Sequence, residues 1–487
     1  MPINSTKKTA CIIIEAEQKG FLIAIAGALQ RLYDYEIRIV VRNKYVEYLV
    51  NQLLPQAITD IVVRDASPKS YQSDIVLESV ELEKKYNFLI SNIISEDRAL
   101  GQGYLFNVQC VPDVIRASWS HERKLSVIVN EIKIRENFLS GCSLVIQQWP
   151  NKLTSIVARC MGANVFSLVN MKLGNRYFWT DKDYLLSTKF EARLLENLNN
   201  KTIFQNLPEY QLYEHGQISN QSVRYSYCSA LLESLKTISH DTKYRILRRQ
   251  KRDSYRYLGW LPSRFRKVRN YKYVSSLGVV PSELHNYRIV FFPLQMEPEV
   301  SLLYYSPEFN NTMEAITWIS KSLPADTILV LKEQAKSFAV RSRWYYKQLN
   351  KIGNVWWANP TIHSSEWINS AQIVATITGT AAIEAIHMDK PVISFGIHQA
   401  VNCIPTVYYA SNYLETKAAV KHLLSYNQAD LQDFELECSR TSFLKAQIDS
   451  SFELPEYQKS FKSEILETNA ASVALNNLFS EYPYLSS

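Results

Sequence analysis

The 487-residue chain has no apolar run approaching the roughly 18–20 residues needed to cross a bilayer; the runs around Ala10–Ile14 and Phe291–Leu294 are strand-sized. The opening stretch MPINSTKKTACIII has a basic pair but reaches Glu15 and Glu17 with no long apolar region or cleavage site, so a secretory leader is not expected. C-x-x-C pairs are absent. The seven cysteines (Cys11, Cys110, Cys142, Cys160, Cys228, Cys403 and Cys438) are odd in number and scattered, as reduced thiols of a cytosolic protein are. The eight histidines are equally dispersed and form no H-E-x-x-H, so any metal is expected to arrive with a substrate and no cofactor is called for. No repeat at solenoid spacing is present. A composition of 46% hydrophobic and 21% charged residues excludes extensive disorder, and the length exceeds what one core can hold.

What is present is alternation. From residue 8 to about 185, short apolar runs alternate with amphipathic ones. Ala10–Ile14 reads as a strand, Leu22–Leu32 as a helix and Ile37–Val41 as a strand; Ile61–Val63, Phe88–Ile94, Leu125–Val129 and Cys142–Ile146 are further expected strands. The pattern predicts an α/β lobe with a mostly parallel sheet. From Asp181 to about Leu277 the chain turns helical and polar, then strongly basic. A second α/β pattern begins at Arg288. Its expected strands are Ile289–Pro293, Thr327–Lys332, Val355–Ala358, Ile373–Ile377 and Pro391–Phe395; its expected helices include Met313–Ser322, Arg341–Leu349, Glu366–Asn369 and Glu415–Ser425. The expected domains are therefore an N-terminal lobe (1–185), a helical basic connection (186–280), a C-terminal lobe (281–425) and a helical tail (426–487).

Residues Ala371–Gly396 are the most informative. A β-branched run meets the turn Thr378-Gly379-Thr380, a short helix containing Glu384 and then a second buried strand. Such a β-turn-α-β unit predicts open backbone N–H groups, two hydroxyls and a helix dipole at one point, a site for nucleotide phosphates. Glu384, one helical turn further in, is placed to accept hydrogen bonds from ribose or sugar hydroxyls. Ligands of doubly wound sheets bind beyond the carboxyl ends of the strands, so the loops that follow strands matter most. These are Pro293–Glu299, with Gln295 and Glu299 as candidate base or sugar ligands; Lys332-Glu333-Gln334, with Lys332 as a candidate phosphate cation; the Thr378–Thr380 turn; and Phe395-Gly396.

FFPLQMEPE, then ADTILVLKEQ, then NPTIHSSEWINSAQIVATITGTAAIEAIHMDKPVISFG, in that order, resembles the nucleotide-binding half of bacterial capsule polysaccharide biosynthesis proteins, a group that includes Kdo transferases. Ile94–Tyr104, ISEDRALGQGY, is similar to an acid-Arg plus glycine segment of the same proteins. The resemblance covers about a third of the chain. It implies a GT-B-like α/β fold: two Rossmann-like lobes facing each other, the donor nucleotide-sugar (CMP-Kdo or a UDP-sugar) in the C-terminal lobe with Glu333 and Gly396 at its site, and the acceptor mostly in the N-terminal one. One departure stands out. The family commonly carries Lys-Glu-His-Pro where this chain has Lys332-Glu333-Gln334-Ala335, and Gln334 can donate a hydrogen bond but carries no charge.

An inverting transfer needs a base for the acceptor hydroxyl. Asp97 and Glu96, after an expected strand, and Glu15, after the first one, are the candidates, with helix capping or pairing to Arg98 as the ordinary alternative. Between Lys243 and Tyr273 stand 12 Lys/Arg and one acid, Asp253, interleaved with Tyr and Trp. The segment, with Arg248 and Arg249 as candidate acceptor or anion ligands beside Arg98, predicts an anionic membrane surface or an anionic glycan or glycolipid acceptor as partner. No recognised nucleic-acid module accompanies it, so nucleic acid is not expected. The leading expectation is a cytoplasmic glycosyltransferase, peripheral on the inner face of the cell membrane, acting in surface polysaccharide assembly. A nucleotide-sugar 2-epimerase and a non-catalytic capsule-assembly binding protein are its rivals.

Overall fold

A computed structural model describes residues 7–14, 20–42, 44–62, 74–97, 100–101, 119–184, 186–210, 226–248, 260–297, 300–306, 308–309, 312–335, 337–397, 399–425, 431–454 and 469–485. In chain order the strands are β1 (Thr9–Ile14), β2 (Glu36–Val41), β3 (Ile58–Ile61), β4 (Cys142–Gln147), β5 (Asn164–Asn170), β6 (Arg176–Thr180) and β7 (Gly278–Val279). They continue with β8 (Arg288–Pro293), β9 (Thr327–Lys332), β10 (Val355–Ala358), β11 (Ile373–Thr376), β12 (Val392–Ser394), β13 (Val407–Tyr409) and β14 (Phe452–Glu453). They form two sheets in two compact units, the first holding Met1–Ile93, Ser120–Asn197 and Lys445–Ser487, the second Ile94–Trp119 and Leu198–Leu444.

The first sheet has the order β14-β6-β5-β4-β1-β2-β3. Its five central-to-edge strands β5, β4, β1, β2 and β3 pair in parallel, while β6 and β14 close one side antiparallel. β1, TACIII, is buried along nearly its whole length because a parallel strand is covered on both faces. The helix Gly20–Tyr33 after it, GFLIAIAGALQRLY, is buried at ten consecutive positions, so it reads as apolar all round. Its outer cover is the helix Asn469–Glu481: Tyr33 stacks on Phe479 with ring centroids 3.9 Å apart, and Ala471, Ala474, Leu475 and Leu478 share its core. Trp179 Nε1 donates to the Ala474 carbonyl at 2.8 Å, and Arg176 pairs with Glu453 at 2.9 Å. The last residues of the chain thus complete the sheet and core in which the first residues lie.

Two expected strands are helices. Leu125–Val129 belongs to the helix His121–Leu139, which Ser120 caps by accepting from the Arg123 N–H at 3.4 Å. The apolar run LSVIV is the buried stripe of a 19-residue helix, and a short apolar run alone does not distinguish that from a strand. Phe88–Ile94 likewise gives way to the helix Ile90–Glu96, entered after Asn87 ends the preceding helix Ile75–Tyr86 in the left-handed region at φ 51°.

The second sheet is parallel throughout, in the order β13-β12-β11-β8-β9-β10-β7. Its core packs Val290, Phe292, Leu329, Leu331, Trp357, Ile373, Ala375 and Ile393 under the helices Met313–Ser322, Arg343–Leu349 and Tyr413–Ser425. The expected strands of this lobe appear within a residue or two at each end. The basic helices Tyr227–Arg248 and Trp260–Leu277 belong to this unit too. The fold class is α/β: two Rossmann-like lobes with helical segments and C-terminal helices, the composition of a GT-B-like protein.

Candidate functional site

In the second sheet β8 is central, with β9 and β10 on one side and β11 and β12 on the other. The chain reverses its progress across the sheet between β10 and β11. The loops leaving β8 and β11 therefore flank the switch point, where doubly wound sheets have their ligand crevice. Gln295, two residues beyond β8 and buried, reaches over to the turn after β11, where its side-chain amide lies 2.6 Å from Thr378 Oγ1. With its oxygen toward the turn, the orientation that satisfies both ends of the amide, Gln295 accepts from Thr378 N–H at 2.8 Å and Gly379 N–H at 2.9 Å. Thr376 Oγ1 also accepts from Gly379 N–H at 3.0 Å.

This corrects the expectation of an open turn. Two of its N–H groups are held by the protein itself, because the adjacent strand delivers an acceptor to them. The N–H groups of Thr380 and Ala381 have no acceptor among the described residues. Gly396 lies beneath the turn: a Cβ there would stand 2.6 Å from both the Ile377 carbonyl oxygen and Thr378 Cγ2, and against Ser306 Oγ. Glycine is required for this close approach, so Gly396 shapes the turn rather than offering a ligand group. Ser306 Oγ is fully buried beside it and has no hydrogen-bond partner among the described residues.

The helix Ala381–His387 starts directly from Thr380. Thr380 is exposed, and its hydroxyl donates to Glu384 Oε1 at 3.4 Å. Glu384 is half-buried. Burial raises its carboxyl above the usual carboxylate range, and the Thr380 hydroxyl opposes the shift. At the end of the helix, His387 stacks on Tyr210, with ring centroids 3.8 Å apart and planes 15° from parallel. Burial, and secondarily the Glu384 charge, raise the Tyr210 phenol. The segment before residue 211 thus covers the helix that carries Glu384. Tyr210 escaped the sequence reading because it lies in a stretch without periodicity.

Lys332 is on the other side of β8. Its ammonium is buried, sits 3.4 Å from the Pro360 carbonyl oxygen after β10, and falls to about 8, mainly through burial, with Glu366 and Glu333 opposing. Glu333, expected at the donor site, is turned inward. Both its oxygens meet Arg341 Nη1, at 3.2 and 3.0 Å, and Tyr346 donates to it at 3.0 Å. Arg341 Nη2 also donates to the Gln295 carbonyl and lies 3.5 Å from Glu297, whose other contact is the Thr312 N–H at 2.6 Å. Burial works against the Arg341 charge, but Glu297 and Glu333 outweigh it and raise its pKa. The network ties the loops after β8 and β9 together and holds Gln295 in place through its own backbone. No local pattern announces Arg341, since its partners are 8 and 44 residues away in sequence.

Asp97 and Glu96 end a helix instead of following a strand. Asp97 Oδ1 accepts from the Leu100 N–H at 3.0 Å, a local cap, and both residues fall in the second unit by contact. Glu15 directly follows β1 in sequence; Glu15, Arg98, Arg249 and Glu299 lie outside the described residues, as does the side chain of Arg248. Among the described residues, no three His, Cys, Asp or Glu side chains are grouped to hold a metal ion, and no helix is long and apolar enough to cross a membrane.

The fold and this edge define the class: a two-lobed Rossmann-like protein whose second lobe carries a braced turn and a short helix at its switch point. No family model matches the chain, and no curated protein matches it. Among solved structures, it is similar to a putative UDP-N-acetylglucosamine 2-epimerase from Listeria monocytogenes, at 10% identity over 98% of this chain and 97% of that one, with a TM-score of 0.28. It is similar to the β-Kdo 2,7-transferase KpsC of Thermosulfurimonas dismutans at 11% identity, over 79% and 89% of the two chains, with a TM-score of 0.31. It is also similar to HepE of Anabaena, in complex with UDP and glucose, at 10% identity over 96% and 100%, with a TM-score of 0.29. At these values the fold assignment rests on the strand order of each unit.

Proposed function

We propose that the protein is an enzyme acting on a nucleotide-activated sugar, bound by the second lobe at the crevice between β8 and β11. The observation that carries this reading is the conjunction at one point of a Gln295-braced turn, the open N–H groups of Thr380 and Ala381, the exposed Thr380 hydroxyl and the Glu384 carboxylate. Such donors suit a phosphate, and a carboxylate one turn further suits the hydroxyls of a ribose or sugar. Gln295 is a brace in this scheme, since its amide oxygen is already engaged with the turn.

Two reactions fit a nucleotide-sugar site. One is transfer of the sugar to a glycan or glycolipid in surface polysaccharide assembly, from CMP-Kdo or a UDP-sugar; the other is epimerisation of the nucleotide-sugar itself. Transfer needs a base for an acceptor hydroxyl. Asp97, the first candidate, accepts from the Leu100 N–H with one carboxylate oxygen, and epimerisation needs a base of its own to move a carbon-bound proton. Incubation with nucleotide-sugar alone separates the two: an epimerised product supports the second, and turnover only on adding acceptor supports the first.

Binding is tested by thermal shift with CMP, UDP, GDP, dTDP and their sugar conjugates. A nucleotide at 100 times its Kd adds about 2.7 kcal/mol to the native state and raises the melting temperature. Glu384→Ala is expected to weaken that nucleotide-sugar about tenfold, the equivalent of one lost hydrogen bond to a charged group, with the unliganded melting temperature little changed. Absence of any shift at millimolar ligand overturns the nucleotide-sugar reading and leaves a binding or scaffold protein.

A further inference from the structure

The helix Tyr227–Arg248 turns one face to the helix Trp260–Leu277. Ala230 and Ser234 are buried, Tyr227 and Phe265 stack with centroids 5.9 Å apart, and Arg264 Nε lies 3.8 Å from Glu233. A second face is left in solvent. Leu231, Leu232 and Leu235 are 46%, 60% and 54% exposed, and at 3.6 residues per turn they fall within about a third of the helix circumference. Together the two helices carry nine Lys or Arg against two acids. Lys236 lies beside the leucines, and Arg269 and Lys272 are exposed on the partner helix, where the Lys272 ammonium stands 4.8 Å above the Tyr227 ring.

A leucine stripe alone does not say what covers it; the excess of cations on the two helices does. We propose that this leucine face, flanked by the cations of both helices, docks the protein on an anionic lipid bilayer. The leucines enter the boundary between headgroups and acyl chains, and the lysines and arginines meet lipid phosphates at the surface. A single-stranded nucleic-acid surface instead presents open aromatic rings for stacking, and the Tyr227 ring already stacks on Phe265 beside the Lys272 ammonium. The pair is firmly joined to the second unit. Asn270 Nδ2 donates to the Phe338 and Arg341 carbonyls at 3.0 and 2.9 Å, and the Arg343 guanidinium lies 3.7 Å over the Tyr273 ring. Docking through the leucines therefore holds the whole second unit at the surface. The inference stands whether or not the crevice takes a nucleotide-sugar.

The test is sedimentation of the full chain with vesicles of phosphatidylcholine alone and of equal parts phosphatidylcholine and phosphatidylglycerol. Binding to the anionic vesicles only, weakened by added salt, is expected. Combined Leu231→Ser, Leu232→Ser and Leu235→Ser should lower the partition coefficient about tenfold or more. Arg269→Gln and Lys272→Gln should each lower it roughly fivefold. All these positions are exposed, so unchanged melting temperatures are expected. Leu414→Ser, at a 73% exposed leucine on another helix, should leave binding as in wild type. Equal binding to neutral vesicles, an equal loss on Leu414→Ser, wild-type binding by the triple variant, or binding to a single-stranded oligonucleotide with none to vesicles overturns the proposal.

Discussion

Lys332 carries a charge that burial opposes. It ends β9, is 5% exposed, and its nearest acceptor is a backbone carbonyl at 3.4 Å. Burial brings its ammonium from 10.5 to about 8. Above pH 10.5 the amine is neutral in both folded and unfolded chains and no penalty exists. As pH falls from 10.5 toward 8, the unfolded chain takes up the proton first, stability is lost, and below 8 the whole penalty remains. Lys332→Met is therefore expected to stabilise the protein by on the order of 2–4 kcal/mol at pH 7, with the gain vanishing near pH 10.5, as read from urea midpoints. A gain equal at both pH values would show that packing, not charge burial, is responsible. Glu384 has the opposite sign. Its raised carboxyl makes stability fall as pH rises from 4.5 through the folded value, so Glu384→Gln should flatten that limb of the pH profile.

At the scale of elements, the crevice depends on loops that are not held by their own sequence. Gln295 braces the turn after β11, and Arg341 holds both the Gln295 carbonyl and the Glu297 and Glu333 carboxylates from the loop after β9. Arg341→Met strands two buried carboxylates and is expected to cost about 3–5 kcal/mol in chemical denaturation, and to weaken nucleotide binding with it. Adding Glu297→Gln and Glu333→Gln should recover part of the stability, because the uncompensated charges are then gone. If the single variant lost less than about 1 kcal/mol, the network would not be what fixes these loops.

Over the whole molecule, the ends of the chain are interdependent. Residues 445–487 contribute β14 and the helix over Gly20–Tyr33, including the Tyr33–Phe479 stack and the Arg193–Glu481 and Arg176–Glu453 pairs. Truncation after Leu444 uncovers the face of Gly20–Tyr33 that Ala471, Leu475 and Leu478 bury. The expected outcome is loss of hydrogen-exchange protection in β1, β2 and β4, while β8–β11 keep theirs. Retained protection in β1 would mean that the first unit folds without its tail.

Alternation of short β-branched runs with amphipathic stretches was enough, from sequence alone, to establish two α/β lobes. It also located β8, β9, β10 and β11 and the Thr378–Thr380 turn, since strand period and turn chemistry are local properties. Locality is also why LSVIV within His121–Leu139 was misread: five apolar residues fit a strand face and a buried helix stripe equally, and the cap at Ser120 with the packing around it decides between them. Only the tertiary structure showed that Gln295 holds the turn's N–H groups, that Glu333 faces Arg341 rather than a ligand, and that the tail joins the first sheet. Each of these depends on partners brought together by strand order, and strand order follows from burying both faces of a sheet at once, which no single window of sequence encodes.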